Sequence, residues 1–285
     1  MEIMTTHFAP LSILVLTKNE EQDLPRCLNS ISFSDDIHVF DSFSDDRTIQ
    51  IACEKGATVT QRAFDDFSSQ RNAALDSLNF KYSWVFILDA DEEIPDGLRD
   101  EITLFLRDVP ADIVACRIRR RDYFLGTWLK HAQISPFYIR LIRRGKVRYE
   151  RKINEVLKVS GNIADFKEYF DHFSFSKGIE HWVKKHNQYS TMEAELIADG
   201  LSGGRVSWKK AFFSNDFNVR RFHQKEIFYM LPFRPLVKWI YMMFFRGAIL
   251  DGYAGITYSF LQAIYEYMIV LKTMEIKRRR KGLSL

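Results

Sequence analysis

The sequence is expected to form an α/β fold, a mostly parallel sheet sandwiched by helices, and two observations lead there. Short apolar runs alternate with helix-period segments through Leu106. Three of those runs end in polar clusters, at Thr17–Glu21, Asp41–Asp46 and Asp89–Glu93. Open α/β sheets bind ligands beyond the carboxyl ends of their strands, so these clusters mark a candidate site.

The elements follow in order. Leu11–Leu16 is an apolar run that reads as a buried strand, and Leu24, Leu28 and Ile31 then recur at helical spacing. Ile37–Phe40 is a second strand, and Asp45–Lys55 a helix stopped by Gly56. Ala57–Gln61 is a third strand, followed by a helix over Ser68–Leu78 with Ala73, Ala74 and Leu78 inward. Trp84–Leu88 is the clearest strand, and a further helix follows Pro95 over about Asp96–Leu106. Beyond it, Ile113–Arg119, Phe137–Arg143 and Val156–Ser160 have strand character, and Tyr169–Phe175 alternates aromatic and polar residues. Gly178–Ala198 reads as a helix, Gly203-Gly204 as a break, and the tail from Trp208 is rich in aromatic, Met and basic residues.

With 285 residues, 46% of them hydrophobic and 27% charged, the chain can bury a substantial core, which excludes bulk disorder. Cys27, Cys53 and Cys116 are odd in number and lack metal-ligand spacing, so a disulfide framework or zinc site is not expected. The net charge of +4 conceals a polarity: residues 1–116 sum to −13, residues 117–204 to +7 and residues 205–285 to +10. Such asymmetry suggests surfaces with different partners, the basic part facing nucleic acid, anionic lipid or a phosphorylated substrate. Nucleic acid is not expected, because no binding motif accompanies the basic patches at 117–121 and 140–152. Met1–Pro10 lacks the basic start and apolar run of a secretory signal, and Gly247–Leu271 is interrupted by Asp251 and Glu266. A location at the cytoplasmic side is the expectation.

No Gly-x-Gly-x-x-Gly follows the first strand, and no Gly-Lys-Ser/Thr loop occurs. A bound nucleotide must then be gripped by side chains and a metal. Asp89-Ala90-Asp91-Glu92 at a strand end offers hard oxygen ligands for Mg²⁺ or Mn²⁺, or else it is an acidic surface turn. Asp41 either accepts hydrogen bonds from a nucleoside or caps the turn Asp41–Asp45. Gln70-Arg71-Asn72 is either a solvated helix start or a set of diphosphate contacts.

Taken together, Leu-Thr-Lys-Asn-Glu-Glu at 16–21, Asp-Ser-x-Ser-x-Asp-x-Thr at 41–48, Gln-Arg-Asn at 70–72 and Asp-Ala-Asp-Glu at 89–92 resemble family 2 glycosyltransferases of the GT-A fold. The similarity extends to the lipopolysaccharide-core β-1,4-glucosyltransferase branch. It includes Arg120–Trp128, Arg140–Gly145 and Asn187–Thr191, and it covers most of residues 11–275. The resemblance implies an inverting, metal-dependent hexosyl transfer from a nucleotide sugar, a UDP-hexose, to a lipid-attached glycan. That glycan would be a lipopolysaccharide core or a polyprenyl-diphosphate-linked oligosaccharide.

On this resemblance the donor lies against Thr17, Asn19, Glu20, Asp41, Ser42, Gln70, Arg71, Asn72, Asp89, Ala90 and Asp91. Asp89, Asp91 and His172 are the candidate metal ligands, although a His between aromatics is also read as a packed core residue. Glu155 is the candidate base and Glu92 the alternative. Asn154 stands where the branch has a histidine, which motivates a second reading: a catalytically inactive membrane scaffold for polysaccharide assembly.

Residues 1–200 are expected to form the catalytic domain, and residues 201–285 a basic, aromatic helical region. Residues 226–250 interleave Phe228, Phe233, Trp239, Phe244 and Phe245 with Arg234, Lys238 and Arg246. That mixture fits an element lying in an anionic membrane interface, which is the preferred reading over a helical stripe packed on the catalytic domain. The first reading places the protein on the cytoplasmic face of the inner membrane, peripheral or monotopic.

Overall fold

The computed structural model describes residues 8–150, 156–199, 207–214 and 217–285. The chain forms two compact units. The first comprises residues up to Tyr123 together with Ser135–Ser176, and the second Phe124–Ile134 together with Lys177–Leu285. The division thus falls at Ser176, ahead of the boundary near residue 200 expected from sequence, and the helix over Gly178–Ala198 belongs to the second unit.

The first unit begins with β1 (Ser12–Thr17), α1 (Leu24–Ser30), β2 (Asp36–Asp41), α2 (Thr48–Glu54), β3 (Thr58–Gln61), α3 (Phe67–Ser77) and β4 (Trp84–Asp89). It continues with β5 (Glu92–Glu93), α4 (Asp96–Arg107) and β6 (Ile113–Phe124). The sheet order is β3-β2-β1-β4, then β8 (Phe137–Arg143), β6, β11 (Asn162–His172) and β5. The short β7 (Thr127–Trp128) falls in the second unit, and β9 (Val147–Glu150) and β10 (Val156–Val159) pair antiparallel as a separate two-stranded sheet.

β1–β4 pair in parallel, as their alternation with helices requires, whereas β8 enters antiparallel between β4 and β6. Alternate residues of β4 point to opposite faces, and both faces are buried. Phe86 and Leu88 join Ile13, Val15, Leu28, Leu98 and Ile102 in one core; Val85 and Ile87 join Leu14, Phe40, Ala74 and Ile142 in the other. Covering both faces leaves the carboxyl ends of the strands as the open edge.

Helix α2 starts at Thr48, later than the expected Asp45, because the preceding acids are used by the loop. Asp46 accepts hydrogen bonds from the Thr48 backbone N–H at 2.9 Å and from the Glu21 N–H at 3.1 Å. This joins the first two strand-end loops.

The second unit contains α5 (Gly178–Ala198), α6 (Trp208–Phe213), α7 (Phe217–Met230) and α8 (Arg234–Ile240). A π-helical turn at Tyr241–Phe245 and a 3₁₀ turn at Ala248–Asp251 lead into the long α9 (Gly252–Arg280). A Cβ on Gly255 would stand 2.1 Å from the Ala248 carbonyl oxygen, so only glycine permits this close turn. Asp251 and Glu266, the charges that interrupt the apolar tail sequence, are both buried and partnered. Asp251 accepts from the backbone N–H of His131 and of Ala132, and Glu266 pairs with Arg234 at 2.8 Å. Among the described residues no helix is long and apolar enough to cross a membrane.

Candidate active site

The end of β4 carries the densest set of charges in the first unit. Asp89 pairs with Arg71 from α3 and with Arg140 from β8, each at 3.1 Å. Arg140 also reaches Glu92 at 2.5 Å, and the second oxygen of Glu92 accepts the Asp89 N–H at 3.0 Å. Burial by itself would raise the Asp89 pKa, but Arg140 and then Arg71 outweigh it and hold the carboxyl well below the usual carboxylate range. Burial lifts Glu92 to about 7 against the opposing Arg140, with the charge of Asp89 adding to the rise.

Arg140 owes its position to a β-bulge. Cys116 faces Leu141 across β6 and β8, but the next residue, Arg117, faces Ile139, so Arg140 is the extra residue. Bulges re-aim side chains next to sites, and this one sends a guanidinium toward Asp89 and Glu92.

Asp91 lies just past β4. Its Oδ2 is 3.3 Å from His172 Nε2, and His172 Nδ1 is 2.6 Å from Asp122 Oδ1. Sheet register brings these groups together: His172 faces Glu92 across antiparallel β5, and it faces Asp122 across parallel β6. Burial alone would lower the His172 pKa, yet the hydrogen bonds to Asp122 and Asp91 carry it up to about 9. An imidazole oriented by a carboxylate on its far nitrogen is the common support of a metal-binding histidine.

The donor set of Asp91 and His172 suits Mg²⁺ or Mn²⁺. Such ions take one or two protein ligands and complete their shell with substrate phosphates and water. Among the described residues no group of three or more His, Cys, Asp and Glu side chains is placed to hold a metal ion.

The other expected site residues divide into loop braces and outward groups. Thr17 donates its hydroxyl to Asp41 at 2.8 Å. Asp41 is fully buried, and its carboxylate also accepts from the Ser44 N–H at 2.8 Å and from Gln61 at 3.3 Å. It therefore braces the loop from inside, the capping alternative, and does not point outward to a nucleoside. Asn19, at φ 56°, accepts the Asp45 N–H at 3.0 Å, and the Glu20 N–H donates to Thr48 at 2.7 Å. Ser42 is half-buried and accepts from Gln70 at 3.0 Å, while Gln70 also accepts from Arg62 at 2.6 Å.

Three of the expected residues are engaged within the protein. Asn72 exchanges two hydrogen bonds between its amide and the backbone of Tyr149, at 2.8 and 3.0 Å. Ala90 contributes a buried methyl group to the core. Glu92 is 1% exposed with both oxygens engaged, so in this structure it positions Asp89 and Arg140. Glu155 and its neighbour Asn154 lie outside the described residues.

Sequence reasoning missed two members of this network. Arg140 is a cation inside the apolar run Phe137–Ile142, and Asp122 is the acid that ends the basic run Arg119–Arg121. Each departs from its local pattern, which is the signal that could have found it.

The mostly parallel sheet flanked by helices, with a charged site at the end of β4, has the architecture of the GT-A fold. The chain belongs to glycosyl transferase family 2, whose profile matches residues 12–173. It is 26% identical to the lipopolysaccharide core biosynthesis glycosyltransferase LpsC of Rhizobium meliloti, over 92% of this chain and 91% of that protein. It is 29% identical to an uncharacterized glycosyltransferase of Rickettsia typhi, over 74% of this chain and 77% of the relative. Among solved structures, it is similar to a mannosyltransferase of Pyrobaculum calidifontis in complex with GDP-mannose and Mn²⁺. That match has a TM-score of 0.49 at 13% identity and covers 95% of this chain and 89% of the other.

Proposed function

We propose that this glycosyltransferase moves a hexose from a nucleotide diphosphate sugar, a UDP-hexose, to a lipid-attached glycan with inversion at the sugar carbon. The relationship to LpsC supports a lipopolysaccharide-core acceptor, and a polyprenyl-diphosphate-linked oligosaccharide has the same chemical character. The observation that carries the reading is the convergence of Asp91 and His172, 3.3 Å apart, at the carboxyl end of β4.

In this reading Asp91 and His172 hold Mg²⁺ or Mn²⁺. Bound there, such an ion would supply Lewis-acid stabilisation of the departing nucleotide diphosphate. Asp122 keeps the His172 ring oriented, and Arg140 and Glu92 fix the strand end from which Asp91 projects. The ion pairs with Arg140 and then Arg71 keep Asp89 ionised beside the donor. Glu155 serves as base on the acceptor hydroxyl, a role that single-step inversion requires on the face opposite the leaving group.

The second unit is proposed to rest on the cytoplasmic face of the inner membrane. Phe213, Phe233 and Phe245 are each more than 80% exposed, and Tyr253 and Leu250 more than 70%. Isolated exposed apolar residues are ordinary, but this density within a region of net charge +10 suits an anionic interface.

The test is release and transfer of sugar from radiolabelled nucleotide hexoses, with and without Mn²⁺, in the presence of membrane glycolipid. Metal-dependent transfer that is lost in Asp91→Ala is expected. Absence of turnover with every donor would favour the inactive scaffold.

A further inference from the structure

The second unit contains a groove that sugar transfer leaves without a role. It lies between the Leu231–Leu236 segment and the C-terminal part of α9 and encloses about 750 Å³, within the usual range for small-molecule sites. Along α9 its lining changes character. Tyr267, Val270 and Met274 give way to Lys277, Arg278 and Lys281, roughly 10 Å farther along at 1.5 Å per residue. Among the described residues no acidic side chain lines it to neutralise that basic end.

Two details point to an occupant. Arg234, also in the lining, is 5% exposed, and its Nη2 has no hydrogen-bond partner among the described residues. A buried donor of this kind calls for an acceptor oxygen. Phe233, at the groove's lip, holds a left-handed backbone at φ 52° with its ring 82% exposed, a strained and outward arrangement for an aromatic residue.

We propose that this groove binds one molecule of an anionic glycerophospholipid. An acyl chain lies against Val270 and Met274, the phosphate meets Lys277, Arg278 and Lys281, and a ligand oxygen accepts from Arg234. A free phosphate would use only the basic end and leave the apolar wall in water. The inference builds on the reading of the second unit as membrane-facing, but it is more specific. It requires a saturable site for a single lipid and not adsorption to a surface.

The test is calorimetric titration of the full chain with dihexanoylphosphatidylglycerol below its micelle concentration. Saturable binding of one lipid per chain is expected, at least tenfold tighter than dihexanoylphosphatidylcholine, with no binding of glycerol phosphate at the same concentrations. The double variant Lys277→Glu/Lys281→Glu, at exposed positions, and the groove-filling Val270→Trp should each weaken binding at least tenfold with thermal unfolding unchanged. Wild-type affinity in the charge-reversed variant, or glycerol phosphate binding as tightly as the lipid, would overturn the proposal. Flotation on phosphatidylglycerol vesicles is run in parallel. Flotation without short-chain binding overturns the groove and leaves the membrane reading intact. Short-chain binding without flotation upholds the groove and removes the membrane reading.

Discussion

His172 and Asp122 stand side by side because a bulge in β11 shifts its pairing with β6. Asp165 faces Arg117, so an unbroken register would set Phe170 opposite Asp122. Two extra residues in β11 bring His172 there instead, at 2.6 Å, while β5 sets the same histidine beside Glu92 and near Asp91. A shift of two preserves the inward and outward faces, so the core is unaffected while the site is assembled.

Asp122→Asn removes the charge that orients His172 and leaves the size of the side chain unchanged. Mn²⁺ binding in the presence of nucleoside diphosphate should weaken by roughly 10–100-fold, as for other outer partners of metal-binding histidines. Electron paramagnetic titration of free Mn²⁺ would measure it, and an unchanged affinity would remove Asp122 from the metal site.

Arg140 is buried between Asp89 and Glu92, so Arg140→Leu leaves two carboxylates without their shared cation. A loss of about 3–5 kcal/mol in chemical denaturation is expected. Arg71→Leu should cost less, because Asp89 keeps Arg140 and its side chain is 37% exposed. Equal losses in the two variants would contradict the placement of Arg140 as the centre of the network.

Glu155→Gln should lower kcat by at least about 10²-fold while donor affinity stays within about twofold, since a base acts in the chemical step. Glu92→Gln should show the opposite balance, with reduced stability and a smaller fall in kcat. If Glu92→Gln proves the more damaging to kcat at full stability, the assignment of the base is reversed.

His186 stacks on Trp182 with ring centroids 3.7 Å apart, and its Nδ1 lies 2.8 Å from the Trp182 carbonyl oxygen. Burial lowers its pKa from 6.5, with Lys185 and Lys238 adding to the fall against the carbonyl hydrogen bond. The folded state therefore favours the neutral ring, and the unfolded state binds the proton more readily below about 6.5. The contribution to stability is full above that pH and is lost as pH falls through the folded pKa. NMR titration should give a midpoint below 6.5, and His186→Phe should flatten the decline of stability on the acid side.

Phe213 and Phe245 are 84% and 81% exposed, so replacing both by Ser should leave folding intact. Binding to anionic vesicles should fall several-fold, and the residue left should become more sensitive to salt, because apolar insertion is not screened whereas charge attraction is. Unaltered flotation would place the membrane contact elsewhere.

The sequence by itself determined the architecture of the first unit and its family. Apolar runs such as Ser12–Leu16 and Val85–Leu88 are short, buried on both faces and separated by helix-period segments, and local pattern suffices to order such elements. The same pattern placed Asp41 and Asp89–Asp91 at strand ends, since a chain leaving a buried strand must reach polar surroundings. Which of those acids face outward was not local information. Asp41 turns into its own loop, Glu92 is enclosed by Arg140, and Asn72 is taken by the Tyr149 backbone, each through a partner at least 20 residues away or on another element. Tertiary structure alone decided the Asp91–His172–Asp122 alignment and the aim of Arg140. Both depend on bulges in β11 and β8, where one or two extra residues shift the pairing of distant strands. Such shifts are set by how the whole sheet packs against its two cores, and a linear reading of residue types does not contain them.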